Sequence, residues 1–237
     1  ASDDHRLNVA HAAGDVLRPS ILWNDTRSHL EAAELDADPR FRALTGNIVF
    51  PGFTAPKLVW VARNEPEVFA KVTMVLLPKD YLRLWLTGEA VAEMSDAAGT
   101  SWLETGARDW SDTLLEATSL TRAQMPRLVE GSEPTGGLRP EIAQRFGLPT
   151  GIPVAGGAGD NAATAIGAGV VAPGDGFVSL GTSGVLFAAT DGYAPAPETA
   201  VHTFCHALPG TWHQMGVILA ATDALNWFAN LVGLDAA

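Results

Sequence analysis

The stretch Ile152-Pro153-Val154-Ala155-Gly156-Gly157-Ala158-Gly159-Asp160-Asn161-Ala162-Ala163-Thr164-Ala165-Ile166 decides how the rest of the chain is read. It reads as a buried strand over 152–155, a glycine turn over 156–159, and a small-residue helix running from Asp160 to about Gly169. An Asp placed at such a helix start has two readings. It can cap the helix, accepting from the first free N–H groups and stabilising by about 1 kcal/mol. It can also be a general base at the mouth of a cleft, taking a proton from an attacking hydroxyl. The glycines and alanine before it weigh toward the second, because missing side chains let a ligand approach the backbone. Gly157-x-Gly159-x-x-Ala162 also fits the dinucleotide fingerprint. That fingerprint expects an acid at the end of the next strand, and Val178-Ser179-Leu180-Gly181 ends without one.

Downstream, Pro173-Gly174-Asp175-Gly176 reads as a loop and a candidate interdomain hinge. Phe177 to Leu180, Gly181-Thr182-Ser183-Gly184 and Val185 to Ala189 then read as strand, tight turn, strand. The small residues of that turn can offer N–H groups and two hydroxyls to a phosphate, or they can form an ordinary hairpin turn. No serine-hydrolase elbow is present, since G-x-S-x-G needs glycine where Val185 stands. Val217 to Leu231 reads as an alanine-rich helix.

Upstream, Ile21-Leu22-Trp23 reads as a short strand ending in the polar turn Asn24-Asp25. Helices are expected over 27–38, 55–63, 81–86, 111–117 and 140–146, the last stopped by Gly147, and a strand over 72–77. His202 and His206 have metal-ligand spacing if helical, but no carboxylate lies between them and Pro209-Gly210 follows, so core or hydrogen-bonding histidines are expected and no metal ligand is assigned.

The bulk properties exclude several classes. A chain of 237 residues that is 47% hydrophobic suits one large or two modest domains. It carries no run of 18 apolar residues and no secretory h-region, so no membrane association is expected. The net charge of −12 without a basic block argues against nucleic acid. A lone cysteine, Cys205, forms no internal disulfide and fits a reducing cytoplasm. The chain opens on Ala1 and stops at Ala237 just after an apolar pattern, so both ends read as cut.

Longer strings then combine. Pro51-Gly52-Phe53-Thr54-Ala55-Pro56-Lys57-Leu58-Val59-Trp60 resembles the first signature of the FGGY carbohydrate kinases. Ile21 to Asp25 with Arg27, Leu76 to Arg83, Ser95 to Thr100, and Phe204 to Pro209 resemble segments of its ketopentose-phosphorylating members, in order over about residues 14–234. The resemblance implies an α/β fold of the actin-like (ribonuclease H-like) kind, two domains around a cleft, incomplete here at both ends. Residues 1–170 would be most of the N-terminal domain and 174–237 the beginning of the C-terminal one. The implied reaction is ATP-dependent phosphorylation of D-xylulose to D-xylulose 5-phosphate, with Mg²⁺, in the cytoplasm.

The same resemblance matches Gly159-Asp160-Asn161 to the family's catalytic Gly-Asp-Asn. Asp160 is then the base, Asn161 and Trp23 contact the sugar, and Gly181 and Thr182 hold nucleotide phosphate. Two departures follow. The family's opening Asp-x-Gly-Thr loop and its adenosine site have no counterpart here, so this piece alone is expected to be inactive. A gap-free match puts His5 on a sugar-contact His, with Asp4 and Arg6 in place of its usual neighbours. Rival readings are a family kinase for another sugar or polyol, a non-catalytic sugar-binding module of the same fold, and a nicotinamide-dependent oxidoreductase. The oligomeric state is left open, a homodimer included.

Overall fold

A computed structural model of the chain describes residues 8–10 and 14–234. The first half runs β1 (Asn8–Ala10), α1 (His29–Ala37), α2 (Pro39–Thr45), α3 (Thr54–Asn64), α4 (Pro66–Phe69), β2 (Met74–Leu76), α5 (Pro78–Thr87), β3 (Val91–Glu93) and α6 (Met94–Ala97). Then come β4 (Leu103–Glu104), β5 (Asp109–Trp110), α7 (Asp112–Ala117), β6 (Arg127–Val129), β7 (Pro134–Gly137), α8 (Pro140–Phe146) and β8 (Pro153–Ala155). The last part holds α9 (Asp160–Gly167), β9 (Gly176–Leu180), β10 (Gly184–Thr190), β11 (His202–Cys205), β12 (Trp212–Ile218) and α10 (Thr222–Leu231).

Local chemistry sets the helix ends. Proline opens α2, α5 and α8, where its missing N–H is one the helix leaves unpaired anyway. Asp38 caps α2 by accepting from the Arg40 N–H at 3.0 Å. Gly147 ends α8 as expected, at φ +65°, a conformation in which a Cβ would crowd the carbonyl.

The largest sheet is antiparallel, in the order β11-β12-β10-β9. Along β10 and β12 burial alternates, sending Phe187, Ala189, His213 and Met215 inward. Behind them Ala165 of α9 and Val170 complete a small core. The main core lies among α1, α2, α3, β2 and the segment from β3 to α7, with Phe41, Leu58, Trp102, Leu114 and Leu115 buried. Cys205 of β11 packs into that same core. Asn47, just after α2, binds the edge of β11 as a strand would: its Nδ2 donates to the Thr203 carbonyl at 3.0 Å and its Oδ1 accepts the Thr203 N–H at 2.9 Å.

Three expectations are corrected. Ile21 to Trp23 is not a strand. The chain turns there, with the Asp25 N–H donating to the Leu22 carbonyl at 3.2 Å and the Asp25 carboxylate accepting from the Arg27 backbone and guanidinium. Local bonds thus satisfy the backbone that a ladder would have used. The strand before the glycine turn exists as β8, but it is exposed and pairs only with β7, antiparallel. This removes the dinucleotide reading, which needs a buried parallel βαβ unit. Third, Val217 and Ile218 finish β12, paired with Val185 and Gly184, and the helix begins only at Thr222. A short apolar run carries no period that separates strand from helix. Among the described residues no helix is long and apolar enough to cross a membrane.

Candidate active site

The glycine turn is held from below by charge. Arg83 on α5 donates to the Gly156 carbonyl and pairs with Asp80 at 2.9 Å, all three buried or nearly so. A Cβ on Gly156 would lie 2.5 Å from the Glu130 carbonyl oxygen, so no other residue fits there without displacing backbone. Gly157 adopts φ +80°, the left-handed conformation that swings the chain upward. The Gly159 N–H then donates to Ser95 Oγ at 2.9 Å, which fixes the start of α9 against α6.

Gly159 occupies the cap position of α9, and Asp160 is the first helical residue. Asp160 is exposed and faces a cleft of about 810 Å³. Its Oδ1 accepts from the Asn161 N–H at 2.8 Å and from Asn161 Nδ2 at 3.1 Å. Asn161 therefore orients the carboxylate through both its backbone and its side-chain N–H groups.

Trp23 lines the same cleft and is 46% exposed, so it is not a core tryptophan. Gly181 lines the cleft from the β9–β10 turn, together with Ser183. Thr182 is exposed at the tip of that turn and outside the lining; its carbonyl accepts the Ala221 N–H at 2.7 Å. The structure thus gathers Trp23, Asp160, Asn161 and Gly181 around one space and sets Thr182 at its rim. His5 lies outside the described residues.

Sequence reasoning passed over three charged groups in this cleft: Lys57, Lys79 and Asp96. Lys57 is only 4% exposed and donates to the Gly52 carbonyl at 2.7 Å. Burial pushes its ammonium down to about 8, with the Asp25 charge opposing the fall. Lys79 lies 2.9 Å from Asp80, 3.5 Å from Glu93 and 3.7 Å from Asp96. Burial pushes the Asp96 carboxyl up to about 7; Lys79 pulls it back, and Asp80, Glu93 and Asp160 add to the rise. Because 31% of the Asp96 side chain still faces the cleft, water tempers the burial part, and the like-charge repulsion is the firmer cause. Lys57 and Asp96 both sit inside strings already singled out, but no spacing rule marks either as a cleft residue.

His206 is a buried core histidine, as expected, and His202 is half-buried in β11; His213, which the sequence did not single out, is buried too, and burial lowers all three, His213 to about 3. Among the described residues no group of three or more His, Cys, Asp or Glu is placed to hold a metal ion.

The cleft thus brings together an exposed carboxylate at a helix start and a glycine turn between two strands. The sequence matches the N-terminal domain of the FGGY family of carbohydrate kinases over residues 2–167, and the chain belongs to that family of phosphotransferases. Its fold is the actin-like one of these sugar kinases. Among relatives, the xylulose kinase of Escherichia coli (strain K12) is 54% identical over 236 residues, which is 99% of this chain and 49% of that protein. A crystal structure of a xyloylose kinase from Brucella ovis is 66% identical with a TM-score of 0.95, covering 98% of this chain and 48% of its own. The xylulose kinase structure from Rhodospirillum rubrum is 33% identical with a TM-score of 0.90, over 96% and 47%. The chain spans about half the length of the relatives it matches.

Proposed function

We propose that the protein phosphorylates a ketopentose at the expense of ATP, converting D-xylulose to D-xylulose 5-phosphate, with Asp160 as general base. The observation that carries this is Asp160 itself: an exposed carboxylate, oriented by Asn161, aimed into a cleft that Trp23 and the Gly181 turn share. Similarity at 54% identity to a xylulose kinase supports the choice of sugar.

In this reading the sugar lies between Trp23 and Asn161, its apolar face against the indole. Asp160 takes the proton from the attacking hydroxyl as the new O–P bond forms and ADP leaves. Gly181 and Thr182 contact the phosphates of ATP through their N–H groups and the Thr182 hydroxyl. Phosphoryl transfer in such kinases also calls for Mg²⁺. Among the described residues no group of three or more His, Cys, Asp or Glu is placed to hold the ion. Residues 1–170 make most of the first lobe and 174–237 open the second, with the exposed Pro173-Gly174-Asp175-Gly176 loop as the hinge.

The test is Asp160→Asn in the full-length enzyme, assayed with ATP and D-xylulose. Asn keeps the size, and Gly159 rather than residue 160 holds the cap position, but Asn cannot take a proton as a carboxylate does. The rate constant kcat falls by at least about 100-fold while melting temperature and sugar binding hold. A variant that keeps more than about a tenth of wild-type kcat removes Asp160 from the mechanism.

A further inference from the structure

We propose that Asp96 is a positioning residue for the reaction, an acid of the cleft lining beside Asp160 that keeps its proton while Asp160 serves as base. The inference rests on the reading of Asp160 as base. It begins from a local imbalance of charge. Asp80, Glu93, Asp96 and Asp160 face two cations, Lys79 and Arg83. Arg83 is spent on Asp80 and on the Gly156 and Val91 carbonyls. Lys79 is shared among three acids, and Asp96 is the farthest of them at 3.7 Å.

The acids differ in what else satisfies them. Glu93 accepts the Ser95 and Asp96 N–H groups at 2.7 and 2.9 Å and the Ser95 hydroxyl at 2.8 Å. Asp160 accepts two bonds from Asn161 and is open to water. Among the described residues no hydrogen bond donated to the Asp96 carboxylate accompanies its distant lysine. Its neighbour on the far side, His213, is held neutral by burial and lends no positive charge. Of two acids that line one hollow, the one with poorer compensation keeps its proton more readily. Burial and repulsion, which lift Asp96 to about 7, act in that same direction.

Contact between the two segments is direct. A Cβ built on Gly159 lies 3.5 Å from the Asp96 Cα, so only glycine's bare face separates Asp96 from the start of α9. Both acids also line a second, smaller hollow with Ser95, Asn161 and His213. His213 is 2% exposed, and neither ring nitrogen has a protein partner. As Asp96 ionises, a further negative charge enters the cleft and repels the phosphate donor.

The decisive measurement is the infrared carboxylic-acid C=O band of this chain, followed across about pH 5 to 9. Wild type shows a band that vanishes with a midpoint near pH 7. Asp96→Asn lacks the band, and Asp160→Asn moves its midpoint to lower pH because the repelling charge is gone. Lys79 keeps Asp80 and Glu93 as partners in Asp96→Asn, so that variant leaves no buried cation bare. Should it nevertheless fail to fold, Asp160→Asn decides alone, since only an acid that feels Asp160 shifts. A band that survives Asp96→Asn, or a midpoint unmoved in Asp160→Asn, overturns the proposal. These readouts need no turnover, so they fail or succeed separately from the kinase reading. In the full-length enzyme, Asp96→Asn also removes the inflection near pH 7 from the kcat/KM profile while both KM values hold within about twofold.

Discussion

A single residue can be legible in sequence for reasons that have nothing to do with its neighbours in space. Asp160 was legible because glycine and alanine clear the ground on its N-terminal side, and that clearance is local. Lys57 and Asp96 were not, because what makes them unusual is burial and charge supplied from distant segments: Asp96 meets Lys79 from α5 and Asp160 from α9. Trp23 lies between these cases. Its exposure on the cleft wall separates it from a core tryptophan, but no sequence pattern does so. If its indole covers the sugar, Trp23→Ala in the full-length enzyme raises the sugar KM at least about tenfold and leaves the ATP KM within about twofold. Equal rises in both, or loss of folding, assign the ring to the scaffold instead.

At the scale of elements, helices were read well and strands poorly. Proline and glycine punctuate α5 and α8 in the sequence itself, whereas β12 owes its existence to pairing with β10, more than a dozen residues upstream, and β11 to pairing with β12. The hairpin of β9 and β10 was readable because its turn is made of small residues in one run. That turn carries a prediction. Thr182→Val keeps the shape of the tip and removes the hydroxyl, so the ATP KM rises by about three- to tenfold while the sugar KM holds, corresponding to one hydrogen bond to a charged group. Unchanged ATP kinetics leave only the backbone of the turn in contact with phosphate. A second prediction concerns Asn47, whose side chain substitutes for a missing strand along β11. Asn47→Ala leaves a buried N–H and a buried carbonyl of Thr203 unpaired, at a cost of about 2 kcal/mol or more in urea unfolding. A loss under about 0.5 kcal/mol means that water replaces both bonds.

For the molecule as a whole, the family was legible in the sequence, but not how β11 rests on the core built largely by the first 125 residues. That placement determines the surroundings of the chain's lone thiol. Cys205 is fully buried, its Sγ donates to the Thr105 carbonyl at 3.6 Å, and burial pushes it up to about 12. Thiolate is the reactive form, so a folded molecule offers an alkylating reagent neither access nor nucleophile. The protein therefore carries a built-in clock for its own opening. Under native conditions a small maleimide labels one site per chain, at a rate proportional to the fraction of molecules in which β11 has parted from the core. Ligands that bind only the closed form slow the clock by the factor with which they stabilise it. Labelling of the folded protein as fast as of the chain in denaturant places Cys205 at the surface and sinks this account of the interface.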